Sequence, residues 1–97
     1  MIREREIEHK LKKMIENNGG LCLKWVSPGC SGVPDRICLL PKSGIVFVET
    51  KKPKGGEISP LPRYWGQKLR KLGFYVAYVF DDNDVATLEI LLQAGLS

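Results

Sequence analysis

The chain has 97 residues, 43% of them hydrophobic and 27% charged, with 15 Lys and Arg against 11 Asp and Glu. That length suits one small domain over residues 1–97. No run approaches the roughly 20 apolar residues that cross a bilayer, and the charged start MIREREIEHKLKK is no secretory signal, so a cytoplasmic protein without membrane contact is expected.

Ile7, Leu11, Met14 and Ile15 recur at helical spacing, which predicts an amphipathic helix closed by the glycines of NNGG, 17–20. LCLKWV, 21–26, alternates as a strand does, and SPGCSG, 27–32, reads as a loop. DRICLL and GIVFVETK predict a hairpin joined by PKSG. The second hairpin strand is apolar on both faces, with Ile45 and Phe47 on one and Val46 and Val48 on the other, so it belongs in the middle of a covered sheet. After the loop 52–58, Ser59 and Pro60 form a helix start, and Leu61, Trp65, Leu69 and Leu72 supply its expected buried stripe up to Gly73. FYVAYVF, 74–80, is a further strand; DDND, 81–84, caps a last helix with Val85, Leu88 and Leu92 facing inward. The order αβββαβα predicts an α/β fold: a mixed sheet of four strands flanked by helices, with one parallel, right-handed βαβ unit.

Cys22, Cys30 and Cys38 form no Cys-x-x-Cys pair, and His9 is the single histidine. That pattern argues against zinc and for three free thiols, with Cys22 and Cys38 filling strand positions. Charge is unevenly spread. Residues 51–71 carry seven bases against Glu57 alone, whereas residues 72–97 carry four acids and no base. A basic middle suits a polyanion such as nucleic acid; a lysine-rich solvated helix face fits equally well.

The hairpin carries charges where its strands open. Glu49 and Lys51 share one face of their strand, and a three-residue turn at 41–43 would set Asp35 opposite Glu49. Two such carboxylates suit a hard divalent ion, which also takes waters and a substrate phosphate. A lysine beside them can orient a water or offset phosphate charge. The same three residues also make a plain salt-bridged triad, and residue type alone leaves both readings open.

GVPDR, the 13 residues after Asp35, and VETK together resemble the PD-(D/E)xK nuclease signature. EIEHKL, GGLCLKWVSPGCSGVPDRICLLP, GIVFVETKKP and LRKLGF resemble the stand-alone VRR-NUC domains of phages and bacteria, over residues from about 4 to 85. The resemblance implies a restriction-endonuclease-like core and a Mg²⁺- or Mn²⁺-dependent endonuclease acting on structured DNA. A Holliday-junction-resolvase-like homodimer is implied by the same likeness. Asp35 and Glu49 would be metal ligands, Lys51 the catalytic lysine, and Glu8 the acidic residue of the first helix that completes the site and can join the ligands. Thr50 would give the metal its backbone carbonyl, leaving its side chain free to vary. DNA phosphates would meet Lys52, Lys54, Arg63, Lys68, Arg70 and Lys71, and Arg36 would either meet a phosphate or pair with an acid. Trp25 and Trp65 can stack on bases or pack in the core. The family commonly has a glutamine where this chain has Pro62. The other readings are a non-catalytic or weakly active nucleic-acid-binding module, and a nuclease without junction preference used in phage DNA processing.

Overall fold

The computed structural model describes residues 4–51 and 58–95. Its elements follow the expected order: α1 (Glu4–Asn17), β1 (Leu21–Lys24), β2 (Arg36–Leu40), β3 (Gly44–Thr50), α2 (Pro60–Lys71), β4 (Tyr75–Val79) and α3 (Asp82–Gln93). The strands form one sheet in the order β1-β2-β3-β4. β1 and β2 pair antiparallel, as do β2 and β3, whereas β4 runs parallel to β3 after the α2 crossover.

Each helix end has a local cause. Gly19 sits at φ +82°, in the left-handed region that glycine enters at least cost, and ends α1. α3 starts on a reciprocal cap. Asp84 N–H donates to the Asp81 carboxylate at 2.9 Å, and Phe80 N–H donates to the Asp84 carboxylate at 2.8 Å. Ser59 holds the N-cap position of α2 in extended backbone, with Pro60 next, but its hydroxyl makes no capping bond.

The sheet is covered on both faces, unequally. α1 and α3 pack on one face, where Ile7, Leu11, Ile15, Cys38, Val46 and Val48 are wholly buried. α2 packs on the other over Phe47, Leu69 and Val76. Here the sequence expectation needs correcting. Of the stripe expected on α2 only Leu69 is buried; Trp65 is half-buried, and Leu61 and Leu72 are exposed. α2 packs over Phe47 of β3 and Val76 of β4, and on the same face Leu21, Leu23 and Ile45 stay exposed. α2 is seated by close approach: a Cβ on Gly66 would run into the Tyr78 hydroxyl.

Cys22 and Cys38 face each other across β1 and β2, buried, with Sγ atoms 3.8 Å apart, and all three cysteines are free thiols. Among the described residues no helix is long and apolar enough to cross a membrane.

Candidate active site at the open end of the hairpin

The hairpin register decides where the charges meet. Leu40 pairs with Gly44 across the turn 41–43, and the ladder ends at Arg36 opposite Val48. One step further the turn length aligns Asp35 with Glu49, but the ladder has stopped and the Asp35 carboxylate turns to Thr50. The backbone of Asp35 is held from both sides. Its carbonyl accepts from Trp25 N–H at 2.9 Å, tying it to the end of β1, and its own N–H donates to Glu49 Oε1 at 3.1 Å.

Strand alternation then sorts the side chains. Phe47, Glu49 and Lys51 fall on the α2 face of β3; Val46, Val48 and Thr50 fall on the α1 face. Glu49, only 7% exposed, has Lys51 Nζ 3.3 Å from its Oε2. On the opposite side Thr50 is 2% exposed, and its hydroxyl donates to Asp35 Oδ2 at 2.6 Å and stands 3.3 Å from Glu8 Oε1. Thr50 N–H donates to the other Asp35 oxygen at 3.1 Å. Glu8, half-buried on α1 one residue past Ile7, also meets Arg36 Nη2 at 3.5 Å. Asp35, at the strand mouth, therefore joins two half-sites on opposite faces of the sheet.

The electrostatics follow from this crowding. Burial pushes the Asp35 carboxyl above the usual range and the Glu8 charge adds to that, while the two Thr50 hydrogen bonds pull it down. Burial raises Glu49 as well; the Asp35 charge adds to it, and Lys51 opposes it through its charge and hydrogen bond. Among the described residues three carboxylates, Glu8, Asp35 and Glu49, stand near two cations, Lys51 and Arg36. Among the described residues no three His, Cys, Asp or Glu side chains are grouped to hold an ion by themselves. Asp35 and Glu49 carry carboxylate oxygens, the donor type that a Mg²⁺-type ion takes together with water.

The basic residues separate into two kinds. Arg36, assigned either a phosphate or an acid, is turned inward to the acid Glu8; its side chain is 18% exposed, and its Nε is buried with no hydrogen-bond partner among the described residues. Arg70 donates to Val76 O at 2.7 Å and lies over the Tyr78 ring, so it braces α2 on β4. Arg63, Lys68 and Lys71 are exposed on α2. Lys68 Nζ meets the Tyr64 hydroxyl at 3.0 Å and stands over the Tyr64 and Trp65 rings. Trp25 packs on Phe47 with ring centroids 5.3 Å apart. Lys52 and Lys54 lie outside the described residues.

Sequence reasoning gave the Thr50 side chain no task. A signal was present: Thr50 continues the buried alternation of Val46 and Val48, and a hydroxyl placed on a closed face needs a hydrogen-bond partner.

An α/β core that gathers carboxylates and a lysine at the open end of a central hairpin defines a restriction-endonuclease-like nuclease fold. A solved structure described as a VRR_NUC domain superposes with a TM-score of 0.84 at 30% identity, covering 96% of this chain and 97% of that one. No family model matches the sequence. A protein of Acyrthosiphon pisum secondary endosymbiont phage 1, described as "Putative nuclease p44", is 40% identical over 88 residues, covering 91% of this chain and 92% of its own length. The chain belongs to the VRR-NUC family and is a nuclease, so its substrate is a nucleic acid.

Proposed function

We propose that the chain is a divalent-metal-dependent DNA endonuclease of the PD-(D/E)xK type, which cuts phosphodiester bonds in branched DNA as a homodimer. One observation carries this reading: Asp35, Glu49 and Lys51 stand together at the open end of the sheet, with the Thr50 backbone between them.

Asp35, Glu49 and the Thr50 carbonyl would hold Mg²⁺ or Mn²⁺, with Glu8 as a further carboxylate on the α1 side. Bound there, the ion would polarise a phosphoryl oxygen and lower the pKa of water. Lys51, ion-paired to Glu49 at 3.3 Å, is placed to orient the attacking water or to offset charge on the pentacovalent phosphate. Arg63, Lys68 and Lys71 on α2 supply phosphate contacts that carry no sequence information, and Lys52 and Lys54 are assigned the same role. The homodimer rests on symmetry, because one small domain holds one such site and a junction needs two matched cuts. The uncovered apolar sheet face, where register sets Leu21, Leu39 and Ile45 side by side, supports a self-complementary contact.

The test is cleavage of linear duplex, single-stranded, flap and four-way-junction DNA with Mg²⁺ or Mn²⁺, beside the Lys51→Ala and Asp35→Asn variants. Junction cutting that falls about 10³-fold in either variant, with folding and DNA binding intact, is expected; that is about 4 kcal/mol of barrier. Absence of metal-dependent cleavage on every substrate refutes the catalytic assignment. Equal cleavage of all four refutes junction preference alone. Light scattering after gel filtration reads the oligomer, and a monomer removes the two-fold argument.

A further inference from the structure

Thr50 lies between the two charged residues of the Glu-Thr-Lys run, and its hydroxyl stands within reach of two carboxylates, those of Asp35 and Glu8. We propose that Thr50 is a positioning residue: its hydroxyl and its own N–H hold the two oxygens of Asp35. The inference rests on the nuclease site proposed above and gives the side chain at position 50 a task that its backbone carbonyl cannot perform.

Three observations carry it. The first is the grip itself. Thr50 N–H reaches Asp35 Oδ1 at 3.1 Å and Thr50 Oγ1 reaches Oδ2 at 2.6 Å, so two donors of one residue fix both oxygens of one carboxylate. A carboxylate held at one oxygen can still rotate about its Cβ–Cγ bond, whereas one held at both cannot.

The second is the stoichiometry of the proton. A hydroxyl carries one hydrogen, so it cannot donate to both acids at once. The 2.6 Å contact assigns that hydrogen to Asp35, and the 3.3 Å contact leaves Glu8 oriented by Arg36 on its other oxygen. The hydroxyl therefore serves Asp35, and Glu8 is oriented separately by its ion pair with Arg36.

The third is burial. Thr50 is 2% exposed, on the same face as the wholly buried Val46 and Val48. Valine, nearly the same shape, would satisfy packing there, but the structure places a hydroxyl with partners instead. A β-branched side chain also has a restricted χ1, which suits a residue whose use is to hold a fixed position.

The test compares Thr50→Val with Thr50→Ser. The measurements are Mn²⁺ binding by calorimetry, junction cleavage, the thermal midpoint, and the Thr50 hydroxyl proton by NMR of the metal-free wild type. A slowly exchanging hydroxyl proton coupled to the Asp35 carboxyl carbon is expected. Thr50→Val should weaken Mn²⁺ binding and slow cleavage by about 10- to 100-fold, as loss of an outer-shell hydrogen bond does, and Thr50→Ser should recover most of both. A folded Thr50→Val that binds Mn²⁺ and cuts like the wild type overturns the proposal. So does a folded Thr50→Ser that recovers nothing. If the wild type itself binds no Mn²⁺, the metal assignment fails separately. The hydroxyl proton still decides the point then: a protected proton coupled to Asp35 supports the grip, and its absence overturns it.

Discussion

On the side of α1 and α3 the sheet buries Ile7, Leu11, Ile15, Val46 and Val48 completely, whereas among the described residues the apolar cluster on the side of α2 is Phe47, Leu69 and Val76, with Leu21, Leu23 and Ile45 left exposed. The difference is one of coverage, since two helices pack on the first face and one short helix on the second. It bears on the site because the site uses both faces. Glu8, Arg36 and Thr50 belong to the closed side, where dense packing fixes a side chain to one position. Glu49 and Lys51 belong to the thinner side, together with the exposed bases of α2, where a large nucleic acid has room to approach. Asp35 stands at the seam.

The contrast can be broken or sharpened by measurement. Leu11→Ala on the closed face should cost about 3 kcal/mol, and Ile45→Ala on the open face less than about 1 kcal/mol, read from urea midpoints at equal slope. Similar costs would mean that the open face is closed in solution, as a dimer contact would make it.

Gly66→Ala comes next, at about 1–2 kcal/mol, because the new methyl meets the Tyr78 hydroxyl and the collision outweighs alanine's better helix propensity. In a Tyr78→Phe background the hydroxyl is gone and a tight 3.1 Å approach to the ring Cζ remains, so the same substitution should cost clearly less. An undiminished cost there would show that α2 is not seated by that contact.

A smaller effect concerns pH. Asp35 and Glu49 both have carboxyls raised mainly by burial, so the folded chain binds their protons more tightly than the unfolded chain does. Stability from these groups is therefore fully present below the ordinary carboxylate range and is lost as pH rises through their raised values. Denaturation from pH about 4 upward should show this shallow fall; Asp35→Asn with Glu49→Gln should flatten it, and a divalent cation should reverse it at neutral pH. A wild-type stability that climbs over the same window would contradict the raised values.

The smallest effect is expected at Pro62, half-buried in the first turn of α2, where a missing N–H has no intrahelical partner to lose. Pro62→Gln should keep or raise cleavage, and a clear loss would show that the proline itself shapes this turn.

Much of this was readable from residue order. The periodicities of α1 and α3 named their buried residues correctly, and the length of the hairpin turn aligned Asp35 with Glu49. α2 was misread because periodicity reports which residues share a face, not whether the sheet beneath extends far enough to cover them; hence exposed Leu61 and Leu72. For Arg36 the residue order left open a phosphate contact or a pairing with an acid, and for Arg70, which is exposed, it gave no partner. A charge in a sequence has no direction, and only packing turns one to Glu8 and the other to the Val76 carbonyl.

What the sequence by itself determined is the element order, the central hairpin and the presence of two carboxylates and a lysine at its mouth, because period, turn length and strand alternation are local rules. The tertiary structure alone decided that Glu8 of α1 arrives beside Thr50 from 42 residues away, and that one buried hydroxyl lies between Glu8 and Asp35. Those contacts depend on how a helix docks across a twisted sheet, and docking is fixed by the sum of many side-chain contacts, which no short stretch of sequence contains.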